Sequence, residues 1–274
     1  MVFLCVLPGS SYTTTWICSG ALIIASLLQY RCAISLDANL RSAVDPHAIL
    51  VAVKDARNGQ IAMIFDLDGV LVHSMPLHTL AWERYLESLG IHIEDVERRM
   101  HGKRNPELVR DLISNELAED VILEHGAAKE RLFREMLMKS ELAEHGVPGI
   151  SEFLERHREI PKAIGSNAEP ANIDFVLDRF ALRQYFPVVV DGFQVSRPKP
   201  FPDIYLKGAE LLGVAPQSCI VFEDSPTGIE AGRAAGMRVV GVETTPTDFI
   251  GVDLHVKDFL DPKLEPWLQA QQLG

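Results

Sequence analysis

Short apolar runs and longer amphipathic stretches alternate through most of this chain. The runs are Ile61 to Phe65, Lys162 to Gly165, Val188 to Val190, Cys219 to Phe222 and Arg238 to Val242, each of strand length and bounded by polar or turn-forming residues. Ser151 to His157, Ala171 to Phe180, Ile204 to Leu212 and Ser225 to Ala235 instead carry apolar residues at helical spacing. Ser225 is a good N-cap, Pro226 a good first helical residue and Gly236 a good stop, so the last helix has its limits written into the chain. Apolar strands alternating with amphipathic helices predict an α/β fold with a parallel sheet covered on both faces. No internal repeat or low-complexity tract breaks the pattern.

The connection between the first two runs is far longer than a crossover needs. Leu77, Ala81, Tyr85 and Leu89 fall on one helical row, with His78, Trp82 and Leu86 beside it. Helical patterns return from Asn105 to Leu117 and from Ala127 to Leu142, before Val147-Pro148-Gly149 brings the chain back. The expected organisation is a core of residues 59–73 and 147–274, with a helical cap of residues 74–146 inserted after its first strand. A lid of that kind excludes water from a reaction and selects its substrate.

Composition is that of an ordinary globular chain: 274 residues, 47% hydrophobic and 23% charged. The net charge of −12 argues against nucleic acid as a partner, because binding a phosphate backbone needs a basic surface. Residues 1–58 stand apart with a net charge of +1 and three of the four cysteines, Cys5, Cys18 and Cys32, leaving Cys219 for the body. That usage supplies neither a disulfide framework nor a tetrahedral zinc spacing, so a reducing, cytoplasmic location is the expectation. Met1 to Tyr30 is free of charge and Trp16 to Tyr30 is mostly apolar. At about 15 residues this run is short for a spanning helix, and no positive charge precedes it as in a signal peptide. A poorly ordered or non-native extension, an anchor or signal, and a structural segment all stay open for residues 1–58, with a membrane role the less favoured. The expected assembly is a monomer.

Candidate chemistry begins where the first apolar run ends. Asp66 and Asp68 are two residues apart in Asp66-Leu67-Asp68-Gly69-Val70, and like charges that close favour a cation between them. The carboxyl end of a strand is also where α/β sheets bind ligands. Alone, Asp-x-Asp-Gly is equally well a turn. Three further segments add to it. Ala163-Ile164-Gly165-Ser166-Asn167-Ala168 ends a strand in a hydroxyl and backbone N–H groups suited to a phosphate oxygen. Arg197-Pro198-Lys199-Pro200-Phe201-Pro202-Asp203 stiffens the chain around one lysine. Cys219-Ile-Val-Phe222-Glu223-Asp224-Ser225-Pro226 is another strand ending in acids, followed by a helix start. Singly these read as a cap, a surface charge and a turn; together and in this order they are far more specific.

In that order the four segments resemble the haloacid dehalogenase-like superfamily of phosphotransferases, over about Gln60 to Asp261. The resemblance implies a Rossmann-like parallel core with an inserted helical cap. It implies that Asp66 is the nucleophile that becomes an aspartyl-phosphate, and that Asp68 protonates the leaving oxygen and then activates water. Ser166, with Asn167 beside it, and Lys199 would hold the phosphoryl oxygens. Asp66, the backbone carbonyl of Asp68, and Asp224 with Glu223 would bind Mg²⁺. These residue types suit the chemistry on their own terms: carboxylates are ligands Mg²⁺ prefers, and phosphoryl transfer needs charge neutralisation and in-line positioning above all.

The segment from Val70 to Trp82 is similar to the β-phosphoglucomutase-like branch, which includes phosphatases of small sugar phosphates. An aspartate commonly stands there where this chain has His73, which changes the contacts expected at the hinge but touches none of the four motifs. In the cap, His78 and the loop His101-Gly102-Lys103-Arg104-Asn105 are candidates for substrate contact, the loop as positive charge over the phosphate or sugar, or equally as a solvated turn. The leading expectation is a Mg²⁺-dependent phosphatase of a small sugar or polyol phosphate. Its rival is a phosphosugar mutase in which a sugar hydroxyl, not water, meets the aspartyl-phosphate. A dehalogenase would need neither Mg²⁺ nor an acid for an alkoxide, and a non-catalytic binding module would be expected to have lost part of the constellation.

Overall fold

The computed structural model describes residues 3–5, 14–16, 61–100 and 103–272. The chain divides into two compact units, Met1–Ala56 and Arg57–Gly274. In the first, Phe3–Cys5 and Thr14–Trp16 pair as a two-stranded antiparallel ladder. The readings of the extension as an anchor, a signal or a disordered segment concern residues outside the described ones.

The second unit is built on six parallel strands: β1 (Ala62–Phe65), β2 (Lys162–Ser166), β3 (Val188–Asp191), β4 (Cys219–Glu223), β5 (Arg238–Val242) and β6 (Leu254–Val256). Their order is β3-β2-β1-β4-β5-β6, so β1 sits in the middle and the order reverses beside it. Side chains alternate along β1: Met63 and Phe65 enter one core, Ala62 and Ile64 the other. On the first face pack α5 (Ile150–Arg156), α6 (Pro170–Arg179) and α9 (Leu264–Gln272) through Phe153, Val176 and Leu268. On the second pack α7 (Asp203–Leu212) and α8 (Pro226–Ala234) through Ile204, Ala209 and Ile229. Phe65 stacks on Phe222 with ring centroids 4.6 Å apart, locking β1 to β4 just below the point where both strands deliver acids.

Between β1 and α5 the described residues form four α-helices: α1 (Met75–Ser88), α2 (Val96–Met100), α3 (Asn105–Leu112) and α4 (Glu119–Lys139). Trp82 and Leu86 of α1 share a core of their own with Val96, Met100, Leu108, Leu112 and Ile122. The two chain crossings that lead into and out of this group run side by side, with a bridge between Val72 and Gly146 and the His73 N–H donating to the His145 carbonyl at 2.7 Å.

The five expected strands are all present, and the differences lie elsewhere. β6 and α9 were not anticipated, because β6 has only three residues with His255 exposed among them, and α9 buries little beyond Leu264 and Leu268. The same holds for α2, five residues with Val96 and Met100 as its buried pair. α3 stops at Leu112, five residues short of the expected Leu117, as the turn formers Ser114 and Asn115 follow. α4 starts at Glu119, eight residues before the expected Ala127, where Glu119 and Asp120 put negative charge into the first turn. On α1 the buried stripe is His78, Ala81, Trp82 and Leu86, while Leu89 ends the helix exposed.

Candidate active site

Register brings the sheet-borne acids together. Phe65 pairs with Ile164 on one side and Phe222 on the other, and the Asp66 N–H donates to the Phe222 carbonyl at 3.0 Å. Asp66, Ser166 and Glu223 therefore leave one edge of the sheet. The loop after β3 folds back through an Arg197–Asp203 ion pair at 2.8 Å and delivers Lys199 into the same place. The Lys199 ammonium donates to Asp66 Oδ1 at 2.9 Å and to Glu223 Oε1 at 2.6 Å. Its backbone N–H donates to Asn167 Oδ1 at 3.4 Å. Asp66, Asp68, Ser166, Asn167, Lys199 and Asp224 line one cavity. The Ser166 hydroxyl oxygen accepts the Ala168 N–H at 3.2 Å, which leaves its proton available to a ligand.

Two glycines make this closeness possible. A Cβ on Gly69, whose φ is +82°, would stand 1.9 Å from Asp224 Oδ2, and one on Gly228 would stand 1.7 Å from Glu223 Oε1. Glu223 is fully engaged: Lys199 and Tyr205 donate to Oε1, while the backbone N–H groups of Asp224 and Ser225 and the Ser225 hydroxyl donate to Oε2. The Ser225 oxygen also caps α8 by accepting the Gly228 N–H at 3.1 Å. The Thr245 hydroxyl donates to Asp224.

Three buried carboxylates face one lysine, and their proton affinities reflect it. Burial pushes Asp66 up to about 7; Lys199 pulls it down while Glu223 and Asp68 push it further up. Burial, then Glu223 and Asp66, raise Asp224 well above the usual carboxylate range. Burial would also raise Glu223, but Lys199 and the donors around it outweigh that and hold it low. The Lys199 ammonium, which burial alone would neutralise, is kept charged by the two acids it touches. Carboxylate oxygens of Asp66, Glu223 and Asp224 lie within 4.8 Å of one another. One ammonium does not match three ionised acids, so a bound cation would favour the ionised forms of Asp66 and Asp224, and hard oxygen donors of this kind fit Mg²⁺.

Asp68 has different surroundings. Ser74 donates to its Oδ1 at 2.5 Å and His78 Nε2 lies 3.5 Å from the same oxygen. Burial would raise its pKa, but the bonds from His78 and Ser74 outweigh burial and lower it. Behind His78, the Lys129 ammonium lies 3.1 Å from Nδ1, so the ring stands between Lys129 and Asp68. The His78 ring is stacked on Phe133 at 3.7 Å between centroids. Lys129 in turn pairs with Glu130 at 2.5 Å, both buried. Burial would raise Glu130, but Lys129 and His78 hold it down at about 2.

Lys103 and Arg104 also line the cavity, and both are already paired: Lys103 with Asp111 at 2.9 Å and Arg104 with Glu107 at 3.7 Å. His101 and Gly102 of that loop lie outside the described residues. Tyr205, Thr245, Ser74, Lys129 and Glu130 escaped the sequence reading. Tyr205 reads as the apolar face of a crossover helix, and a Lys-Glu pair within an amphipathic stretch reads as solvated charge.

The site is thus an aspartate at the end of the central strand, with a lysine opposite it and an acidic cluster at the carboxyl edge of an α/β sheet. Comparisons with known proteins give it a family. A family model described as haloacid dehalogenase-like hydrolase matches residues 62–236. A phosphorylated carbohydrates phosphatase from Thermotoga maritima is 36% identical over 189 residues, 66% of this chain and 84% of that protein. Beta-phosphoglucomutase from Bacillus subtilis is 32% identical over 211 residues, 74% of this chain and 92% of that protein. The crystal structure of a HAD hydrolase of family IA, variant 3, from Entamoeba histolytica matches with a TM-score of 0.67 and 27% identity, covering 73% of this chain and 94% of that one. The chain belongs to the haloacid dehalogenase-like hydrolase family, and it is an enzyme of that family.

Proposed function

We propose that this enzyme is a Mg²⁺-dependent phosphatase of a small sugar or polyol phosphate, with residues 74–146 acting as its cap. The observation that carries the reading is the convergence of Lys199 and Asp224 on Asp66 inside one cavity. Asp66 attacks phosphorus in line and displaces the sugar oxygen, while Lys199 and Ser166 hold the phosphoryl oxygens. Asp68 gives its proton to the departing oxygen; the approaching phosphate charge raises the proton affinity of Asp68 for this step. Water then attacks the aspartyl-phosphate, Asp68 takes back a proton, and inorganic phosphate leaves with Asp66 restored. Mg²⁺ held by Asp66, Asp224 and the Asp68 backbone carbonyl would neutralise charge on the phosphoryl oxygens. Glu223, whose oxygens are already committed to donors, would serve mainly by fixing Lys199 and the turn into α8.

Phosphate release from a panel of phosphorylated metabolites, with and without chelator, tests the reading. Turnover is expected to need Mg²⁺ and to vanish in Asp66→Asn; full activity in chelator, or turnover surviving that substitution, would sink it. Formation of glucose 6-phosphate from β-glucose 1-phosphate with little free phosphate would replace it with the mutase reading.

A further inference from the structure

We infer that Asn172 is a further positioning residue: from the core it holds helix α4 in place, and through α4 it sets the surroundings of Asp68. This rests on the phosphatase reading above. Asn172 lies in the first turn of α6, shortly after the loop that carries Ser166 and Asn167, and is 2% exposed. Its Nδ2 donates to Glu130 Oε2 and its Oδ1 accepts from Arg134 Nη1, both at 2.5 Å. Glu130 and Arg134 are four residues apart on α4 and so share one face of it. The amide cannot turn over, because that would set its carbonyl against a carboxylate and its NH₂ against a guanidinium. Asn105, at the start of α3, adds a second tie: its Nδ2 donates to Glu130 Oε1 at 2.7 Å and to Oε1 of Glu169, just before α6, at 3.1 Å.

The same stretch of α4 reaches inward to Asp68. Lys129 pairs with Glu130 at 2.5 Å, and its ammonium lies 3.1 Å from His78 Nδ1. Phe133, four residues on from Lys129, is stacked on the His78 ring, and His78 Nε2 stands 3.5 Å from Asp68 Oδ1. One row of α4, Glu130 and Arg134, therefore grips the core amide, while the row beside it, Lys129 and Phe133, supports the ring that faces Asp68. Asn172, Glu130, Lys129, Phe133 and His78 are all buried, so a shift of α4 is passed on to the ring by close packing rather than taken up by water. Released from Asn172, α4 would carry the support of His78 with it and leave Asp68 with Ser74 as its fixed partner. A less well placed Asp68 protonates the departing oxygen less well, which matters most when that oxygen is strongly basic.

The full chain with Mg²⁺ is assayed on p-nitrophenyl phosphate, whose leaving group departs with little help, and on phenyl phosphate, whose more basic oxygen needs a proton. Asn172→Ala is expected to lower kcat/KM by about 100-fold for phenyl phosphate and by about tenfold or less for the nitrophenyl ester. A merely structural loss lowers both by the same factor. Asn172→Asp keeps the shape but faces Glu130 with a like charge, and it is expected to give the same unequal loss. Adding Glu130→Gln to it returns one donor and one acceptor to that contact and should bring the ratio between the esters back to within about threefold of wild type. Equal losses on the two esters in a single variant that circular dichroism shows to be folded, or no recovery in the double variant, overturn this inference and leave the phosphatase reading standing. So does failure of both single variants to fold, which would make Asn172 a structural residue. No phosphate from either ester with the wild type overturns both readings.

Discussion

Lys199 joins two acids that would otherwise repel each other in the protein interior, and it does so with 5% of its surface exposed. Breaking a buried charge pair by removing one partner costs about 3–5 kcal/mol. Lys199→Met is expected to lose about 3 kcal/mol in urea denaturation as well as turnover. Mg²⁺ should recover part of that stability by neutralising the stranded acids, read as a larger rise in Tm for the variant than for the wild type. The two glycines allow a second test at this scale. Gly228→Ala drives a methyl group into the Glu223 carboxylate and is expected to cost about 3 kcal/mol. Gly146→Ala, where the nearest atom is 4.0 Å away, should change stability by less than about 1 kcal/mol. Equal effects in the two variants would mean the close approach at Gly228 is easily relieved.

At the scale of elements, α4 carries a buried ion pair whose worth depends on pH. Glu130 is held at about 2, below its ordinary 4.5, so its contribution is fully present above 4.5 and is lost as pH falls toward 2. The wild type should lose more unfolding free energy between pH 5.5 and 3 than Glu130→Gln does, by on the order of 2 kcal/mol. Parallel loss in both would show that the pair contributes nothing. The α8 start was readable from Ser225-Pro226, and β1 to β5 from apolar runs, because caps and strand periodicity are local signals. The motif residues were readable for a related reason: each stands where a run ends. What stayed hidden depends on packing between segments far apart in the chain. Tyr205 meets Glu223, and Glu130 meets Asn172, only once the helices are docked. β6 and α9 have too few buried positions to announce themselves.

For the whole molecule, the net charge of −12 means that the proposed phosphorylated substrate would approach against the overall field, with Lys199 and the proposed metal as the local attraction. Raising salt should therefore change kcat/KM little or raise it; a steep fall would point to a basic steering surface. No helix among them is long and apolar enough to cross a membrane. Since Arg57–Gly274 is a compact unit containing the proposed catalytic constellation, residues 60–274 alone are expected to fold and to match the full chain in kcat/KM within about twofold. An insoluble or inactive fragment would make the first residues part of the working fold.

The Lys199 clasp also bears on how such a sequence can change over generations. A lineage freed from selection for turnover would still be bound to keep this lysine, since losing it strands charge in the interior. Asp68 is under no such constraint, because an amide could still accept the Ser74 hydroxyl. In sister sequences, retention of the lysine therefore reports mainly a fold worth keeping, and under the proposed mechanism retention of the second aspartate is the better sign of a living catalyst.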